Sequence, residues 1–363
     1  MSTTTSNKRV LVAPLDWGLG HATRCIPIVK KLLEAGCSVF IASDKSQLAL
    51  LKAEFGDSVS YLHLPGYEIT YSANKRFLPL KILQQTPKIL RKIREEHAWL
   101  ENAIDEHGID LVLSDNRFGL YSSKTPCIFI THQLNIVAPF NWLRSLIRRI
   151  NYRFIEKYAA CWVPDIAGTE NISGELSRPR QLPHIPVKYI GLLNRFEPCI
   201  SRNREYKWLI VLSGPEPQRT ILEQKLIQLI PNLPGKVLLA RGKPGFKERL
   251  EVGANCTVAN HLTGKEMEAA FANSEFVVSR CGYTTVMEIL AFRKRALLIP
   301  TPGQTEQEYL AEHLMSQNWA YCCTQDDDLL QHFDKLRAFD FRFPTFSNSG
   351  LDEAVQEALR LEK

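Results

Sequence analysis

The chain has 363 residues, nine cysteines and a formal charge of +6, from 45 Lys and Arg against 39 Asp and Glu. That length predicts about two domains, each able to bury its own core. No run approaches the ~20 consecutive apolar residues of a membrane span, and the opening "MSTTTSNKRV" has no apolar leader core, so a cytosolic protein is expected. The cysteines fall singly apart from Cys322 and Cys323, with no C-x-x-C pair, which reads as reduced thiols rather than a disulfide framework or zinc site. A pI near 8.8 favours an anionic ligand or surface without identifying it.

In chain order, "RVLVAP" (9–14), "SVFIAS" (38–43), "IDLVLSD" (109–115) and "PCIFITH" (126–132) are β-branched runs separated by helical patterns. This is the alternation of a doubly wound parallel sheet. It restarts at "KWLIVLS" (207–213) and continues through "KVLLAR" (236–241), "EFVVSR" (275–280) and "RALLIP" (295–300). Two Rossmann-like α/β domains are therefore expected, with a cleft between them. The polar stretch 192–206 reads as the linker, giving domains over 1–194 and 207–345, with 346–363 as a C-terminal helix that packs back on the first domain.

The first strand runs into Gly18-Leu19-Gly20-His21-Ala22-Thr23, close to a dinucleotide fingerprint, and Asp44 follows where a ribose-binding acid would sit. Thr23 replaces the third glycine and reads instead as the N-cap of a helix ending before Gly36, which places Pro27 at the edge of the first turn. His21 then sits above the carboxyl end of a strand, where open α/β sheets bind ligands, and is either a surface histidine or a general base. Asp115 closes "LVLSD" and either orients His21 or the acceptor, or caps its own turn.

In the second half a strand ends at Ser279-Arg280, Gly282 turns the chain, and a helix opens near Thr284 or Thr285, aiming backbone N–H groups and a positive dipole end outward. This is a phosphate cradle that needs no metal. A second turn, "VLSGPEPQRT" (211–220), brings Gly214 and Arg219 to the same side, and two such turns suit a diphosphate. Thr285 with Glu288 and Thr305 with Glu308 each follow the T-x-x-E rule, so both acids are either capping-box partners or ligand contacts. The acids Asp326, Asp327 and Asp328 offer a D-x-D metal motif, but favourable charge at the start of a helix explains them more simply.

Two basic, apolar-rich stretches complete the inventory. One, over 75–94, carries Lys75, Arg76, Lys81, Lys88, Arg91, Lys92 and Arg94 without an acid; the other, over 140–158, interleaves arginines with Trp142, Leu146, Ile150 and Phe154. Each is either a face for anionic lipid or an ordinary helix with a core stripe. No nucleic-acid module accompanies the charge.

The tandem halves, the "GLGH" turn and the segment Ser279–Leu314 resemble the MurG-type GT-B glycosyltransferases of family 28. The resemblance is broad over the second half and confined to short motifs in the first. It implies an inverting transfer from a UDP-sugar, of N-acetylglucosamine or another hexose, to an acceptor hydroxyl on a glycan, lipid or small molecule, without metal or cofactor. By that resemblance Gly282 and Thr285 face the diphosphate and Glu288 the ribose. Gln304, Gln307 and Glu308 meet the donor sugar, and His261 and Leu262 of "ANHLTG" meet the uracil. His132 and Asn135 of "HQLN" stand, with Gly18 and Gly20, on the acceptor side. Where the family's first loop opens with two glycines, this chain has Asp16 and Trp17, so peptidoglycan lipid need not be the acceptor. In this scheme His21 takes the acceptor proton, while Arg219 and Arg280 stabilise the departing diphosphate. The rivals are a nucleotide-sugar hydrolase or epimerase on the same fold, a non-catalytic nucleotide-sugar binder and, more distantly, an NAD oxidoreductase. The expected location is the cytosol or the inner membrane face.

Overall fold

A computed structural model of the chain describes residues 7–67, 78–137, 140–197, 204–248, 250–346 and 350–362, with side chains of 78–86 and 141 left aside. The chain divides into two compact units, the first from Met1–Thr70, Phe77–Arg195 and Phe346–Lys363, the second from Tyr71–Arg76 and Phe196–Thr345. Each holds one parallel sheet whose strands alternate with helices along the chain.

In the first unit the strands are β1 (Arg9–Pro14), β2 (Ser38–Ser43), β3 (Ser60–His63), β4 (Leu111–Asp115), β5 (Cys127–Ile130), β6 (Ala160–Val163) and β7 (Val187–Tyr189). They pair in parallel in the order β3-β2-β1-β4-β5-β6-β7. The chain leaves β1 toward β2 on one side and later returns to β4 on the other, so the strand order reverses there and the loops beyond β1 and β4 diverge at a ligand-binding position. Register sets Pro14 against Asp115. Leu11, Ala13, Val112, Phe129 and Val163 of the sheet join Leu100, Ile104 and Ile155 in one core. Helix α1 (Leu19–Glu34) follows β1 and closes at Gly36, whose φ of 81° is the left-handed cap that glycine supplies cheaply. Helix α2 spans Lys45–Phe55, α3 Leu78–His107 and α4 Asn141–Ile155.

In the second unit the strands are β8 (Tyr206–Val211), β9 (Val237–Ala240), β10 (Cys256–Ala259), β11 (Ser274–Ser279), β12 (Arg295–Leu298) and β13 (Tyr321–Cys322), with helices α5 (Gln218–Leu229), α6 (Gly264–Ala272), α7 (Tyr283–Ala291), α8 (Thr305–Ser316) and α9 (Leu329–Ala338). The order is β10-β9-β8-β11-β12-β13, all parallel. Here the reversal lies between β8 and β11, where Val211 registers with Ser279. Trp208 stacks on Phe276 at 4.8 Å between centroids and donates its indole N–H to Pro234 O, so its one polar atom is satisfied in the core.

Helix α10 (Gly350–Ala358) belongs to the first unit, where Asp352 pairs with Lys31 of α1 at 3.1 Å. A Cβ on Gly350 would come within 2.9 Å of the Ile190 carbonyl carbon, so backbone approaches backbone at that point. Among the described residues no helix is long and apolar enough to cross a membrane.

Candidate active site

The first cluster is built on β1, α1 and β4. Gly18, with φ of 73°, is the N-cap of α1, and Gln47 fixes the loop by donating to the carbonyls of Leu15 and Gly18 at 2.6 Å. Helix α1 therefore starts four residues before the Thr23 cap expected from sequence. Thr23 lies inside the helix and bonds back to Gly20 O at 3.0 Å, and Pro27 is an interior residue whose missing N–H leaves one ladder bond unmade. The early start places His21 and Arg24 three residues apart on one face.

Asp115, fully buried at the end of β4, receives both. His21 Nδ1 lies 2.9 Å from Asp115 Oδ2, Arg24 Nε donates to the same oxygen at 2.9 Å, and Arg24 Nη2 donates to Oδ1. Arg24 Nη1 also reaches His132 Nδ1 at 3.3 Å. Burial alone would raise the Asp115 pKa, but the Arg24 guanidinium and His21 hold it at about 2, so it stays a carboxylate. His21 moves below its ordinary 6.5, first because it is buried and then because of Arg24, against a smaller opposing pull from Asp115. Its side chain keeps 16% exposure. With Nδ1–H donated to Asp115, Nε2 is a bare acceptor, the form a general base requires. Arg24 Nη2, 2.8 Å from the same Nδ1, competes for that position, so Asp115 and Arg24 pull the tautomer in opposite directions.

Of the remaining residues on this side, Asn135 is buried, with its N–H on Leu176 O at 2.7 Å and its side-chain oxygen without a partner. Asp44 is the N-cap of α2, accepting from Lys45 N at 2.8 Å and lying 3.2 Å from His63 Nε2, which explains it without a ribose. Trp17, beside the glycine turn, is 43% exposed.

The second cluster lies where β8, β11 and β12 end. Gly214, with φ of 103°, carries the loop after β8 past Thr301 and Arg280; a Cβ there would stand 3.6 Å from Thr301 Oγ1. Arg280 is buried and binds loop to loop, donating to Gln218 O at 2.7 Å, Gln325 Oε1 at 2.5 Å and Pro300 O at 3.2 Å. Every one of these acceptors is neutral, and burial lowers the guanidinium to about 10. Arg280 Nε and the buried Thr301 Oγ1 have no protein partner. Two residues on, Gly282 is the N-cap of α7 with an ordinary φ of −79°, and a Cβ on it would meet nothing nearer than Thr285 Oγ1 at 4.0 Å. Neither backbone conformation nor packing within the chain asks for glycine at 282.

The second turn differs from the expectation. Glu216 sits over the first turn of α5, accepting from Thr220 N at 3.2 Å, and it pairs with Arg219 at 2.6 Å. Arg219 also lies 3.3 Å from Glu223, which holds Arg241 at 2.6 Å. Its charge is thus paired within the protein, and Glu216 accepts from the first turn of α5, which was expected to face the ligand. Neither expected capping box forms. Thr285 falls at the third residue of α7 and the buried Glu288 at the sixth, while Glu308 accepts from Gly303 N at 2.9 Å rather than from the turn at Thr305. Gln307 accepts from Thr301 N at 2.8 Å and donates to Gln304 Oε1 at 2.5 Å, so these three side chains shape the loop into α8. A capping box does form between Thr263 and Glu266, at the start of α6; it follows the same T-x-x-E rule, with His261 exposed and Leu262 half-buried just ahead of it. Of the three acids, Asp328 is the N-cap of α9, accepting from Leu330 N at 3.2 Å.

Arg24 ties His21, Asp115 and His132 together and is a site residue that no motif in the sequence marks. Its signal was a charged side chain directly before the apolar run "CIPIV" (25–29) of α1, where burial calls for a charged partner. The basic stretch 75–94 is partly neutralised by an acid just beyond it. Arg91 and Lys92 both pair with Glu95, at 2.8 and 2.9 Å. Lys75 and Arg76 lie outside the described residues, as does the side chain of Lys81. In α4, by contrast, Trp142, Leu146 and Ile150 are 67%, 47% and 47% exposed, so they are not a core stripe, whereas Phe154 packs on Phe118.

This architecture is shared with known proteins. A spinosyn rhamnosyltransferase, SpnG, superposes with a TM-score of 0.64 at 14% identity, covering 97% of this chain and 95% of that one. MurG of Acinetobacter baumannii superposes with a TM-score of 0.52 at 16% identity over 98% and 96%. The fold is that of the GT-B glycosyltransferases. Residues 219–339 match the glycosyltransferase family 28 C-terminal domain. A UDP-N-acetylglucosamine--N-acetylmuramyl-(pentapeptide) pyrophosphoryl-undecaprenol N-acetylglucosamine transferase of Desulfitobacterium hafniense is 28% identical over 207 residues, 52% of this chain and 54% of that protein. The match thus spans about half the length of that relative; one of the same name from Burkholderia pseudomallei is 24% identical over 89% of this chain and 85% of its own. The chain is thus similar to the MurG-like GT-B glycosyltransferases, and residues 219–339 carry the likeness to family 28.

Proposed function

We propose that the protein is an inverting glycosyltransferase that moves a hexose, such as N-acetylglucosamine, from a UDP-sugar to an acceptor hydroxyl without a metal ion or cofactor. The observation that carries the donor half is Arg280. A buried cation whose acceptors are all neutral is costly, and an anion held at the adjoining α7 turn would offset that cost. The first unit supplies the base. His21 Nε2 takes the proton from the acceptor hydroxyl, whose oxygen attacks the anomeric carbon. As that bond forms, the bond from the anomeric carbon to the diphosphate oxygen breaks on the opposite face, which inverts the centre. Charge collects on the departing UDP, where the N-terminal dipole of α7 and the Arg280 charge stabilise it.

Thr285, Glu288, Gln304, Gln307, Glu308, His261 and Leu262 take the donor roles that the family resemblance implies. Gly214 and Arg280 shape the cradle, and Arg219 supports it through Glu223 instead of touching phosphate. The relatives' names specify a lipid-linked acceptor. A similar acceptor agrees with α4, whose exposed Trp142, Leu146 and Ile150 accompany Arg148, Arg149 and Arg153 and would rest on an anionic membrane surface. The test is UDP release from a panel of UDP-sugars with and without lipid-linked and soluble glycan acceptors. Acceptor-dependent turnover, abolished in His21→Ala, is expected; free sugar released at the same rate without any acceptor would make the protein a hydrolase instead.

A further inference from the structure

The segment leaving β13, the loop after it and helix α9 bring together three side chains that the sugar-transfer scheme does not use. In an extended segment residues two apart share a face, and Tyr321 and Cys323 both enter the core covered by Leu329, Phe333 and Leu336 of α9. From α9, His332 returns toward that face, and Asp327 approaches it from the intervening loop. One ligand atom of each of Cys323, Asp327 and His332 lies within 4.8 Å of the other two. We propose that these three residues bind one zinc ion, with a water as fourth ligand, tying the edge strand β13 to the start of α9.

The donor set of thiolate, imidazole and carboxylate is the one zinc prefers, and it discriminates against magnesium and calcium, which take oxygen ligands. The surroundings orient it as well. Tyr321 Oη lies 2.9 Å from His332 Nδ1, so an Nδ1–H donated to the phenol leaves Nε2 as the ligand atom. That Nε2 stands 3.7 Å from Asp327 Oδ2. Asp327 is itself held by Thr324 N–H at 2.7 Å. Ligand atoms of a tetrahedral zinc are about 3.5 Å apart, so closing the site takes a shift of about 1 Å, which the half-exposed Asp327 can make. Cys323 is 7% exposed, and its thiol proton would be lost to solvent as the ion binds.

The experiment uses the full chain, stripped with chelator and then titrated with zinc and with cobalt. One equivalent is expected, with a thiolate-to-cobalt charge-transfer absorption. Cys323→Ser should abolish that absorption, His332→Gln should weaken zinc binding by at least tenfold, and Tyr321→Phe should weaken it by about tenfold while keeping the stoichiometry. Cys322→Ser, on the other face of the strand, should change nothing. Circular dichroism separates loss of the site from loss of fold in Cys323→Ser. A folded wild type that takes up no zinc, or cobalt–thiolate absorption that survives Cys323→Ser, would overturn the proposal.

Discussion

His21 Nδ1 stands 2.9 Å from Asp115 Oδ2, and Arg24 Nη2 stands 2.8 Å from that same nitrogen. Only one of them can set the tautomer. If the ring is a base at Nε2, Asp115 must prevail, and nitrogen-15 chemical shifts should report His21 protonated at Nδ1. His21→Ala should then cut kcat by about 10²- to 10⁴-fold while leaving UDP affinity within about threefold, because the residue lies outside the donor cradle.

Activity should depend on pH in a particular direction. Burial and Arg24 hold His21 below its ordinary 6.5, so kcat/KM should fall on the acid side only as pH drops through a value below that. An acidic limb centred above 6.5 would mean that Asp115 dominates the ring's electrostatics instead.

Asp115 links the site to stability. Its pKa is depressed from 3.8 to about 2, so its contribution is fully present above pH 3.8 and is lost as pH falls toward 2. That difference amounts to about 2 kcal/mol. Asp115→Asn should cost more, about 3 to 5 kcal/mol in chemical denaturation at neutral pH, because it leaves Arg24 buried without its counter-ion.

Gly282 separates fold from ligand. Since a Cβ would meet only Thr285 Oγ1 at 4.0 Å, Gly282→Ala should change unfolding free energy by less than about 1 kcal/mol. UDP affinity should nonetheless drop by about tenfold or more, the Cβ occupying the approach to the α7 turn. Calorimetry on the same preparation measures both quantities.

The lipid-facing reading of α4 is checked by sedimentation with vesicles. Trp142→Ser combined with Leu146→Ser should reduce binding to vesicles of anionic phospholipid by about tenfold and leave the thermal midpoint within a few degrees, as both side chains are exposed. Unchanged partitioning would remove the membrane surface from the account.

Much of the fold was legible because a strand buried on both faces leaves a continuous apolar run, and eight such runs mark the strands that flank both sites. The short edge strands escaped notice: β13 has two residues and β10 has no fully buried side chain, so neither shows a period. Helix starts were the weaker reading. Thr23, Thr285 and Thr305 look like caps by composition, yet glycines at 18 and 282 and Gln304 hold those positions, because the loops need an abrupt turn or an uncovered end more than a hydroxyl. By contrast, the pairing of Arg219 was open to the sequence, since Glu216 and Glu223 stand three residues before it and four after it; only the recruitment of Arg241 to Glu223 depends on tertiary folding.

The central claim is that a diphosphate is held by the α7 turn over Arg280, without a bridging cation. Calorimetric titration with UDP, ADP, GDP and dTDP, in buffer with no added magnesium or manganese, tests it most directly. The account predicts that UDP binds at least tenfold more tightly than the others and that Gly282→Ala loses most of that affinity. UDP binding that requires added magnesium or manganese, or that is indifferent to the substitution, would contradict it.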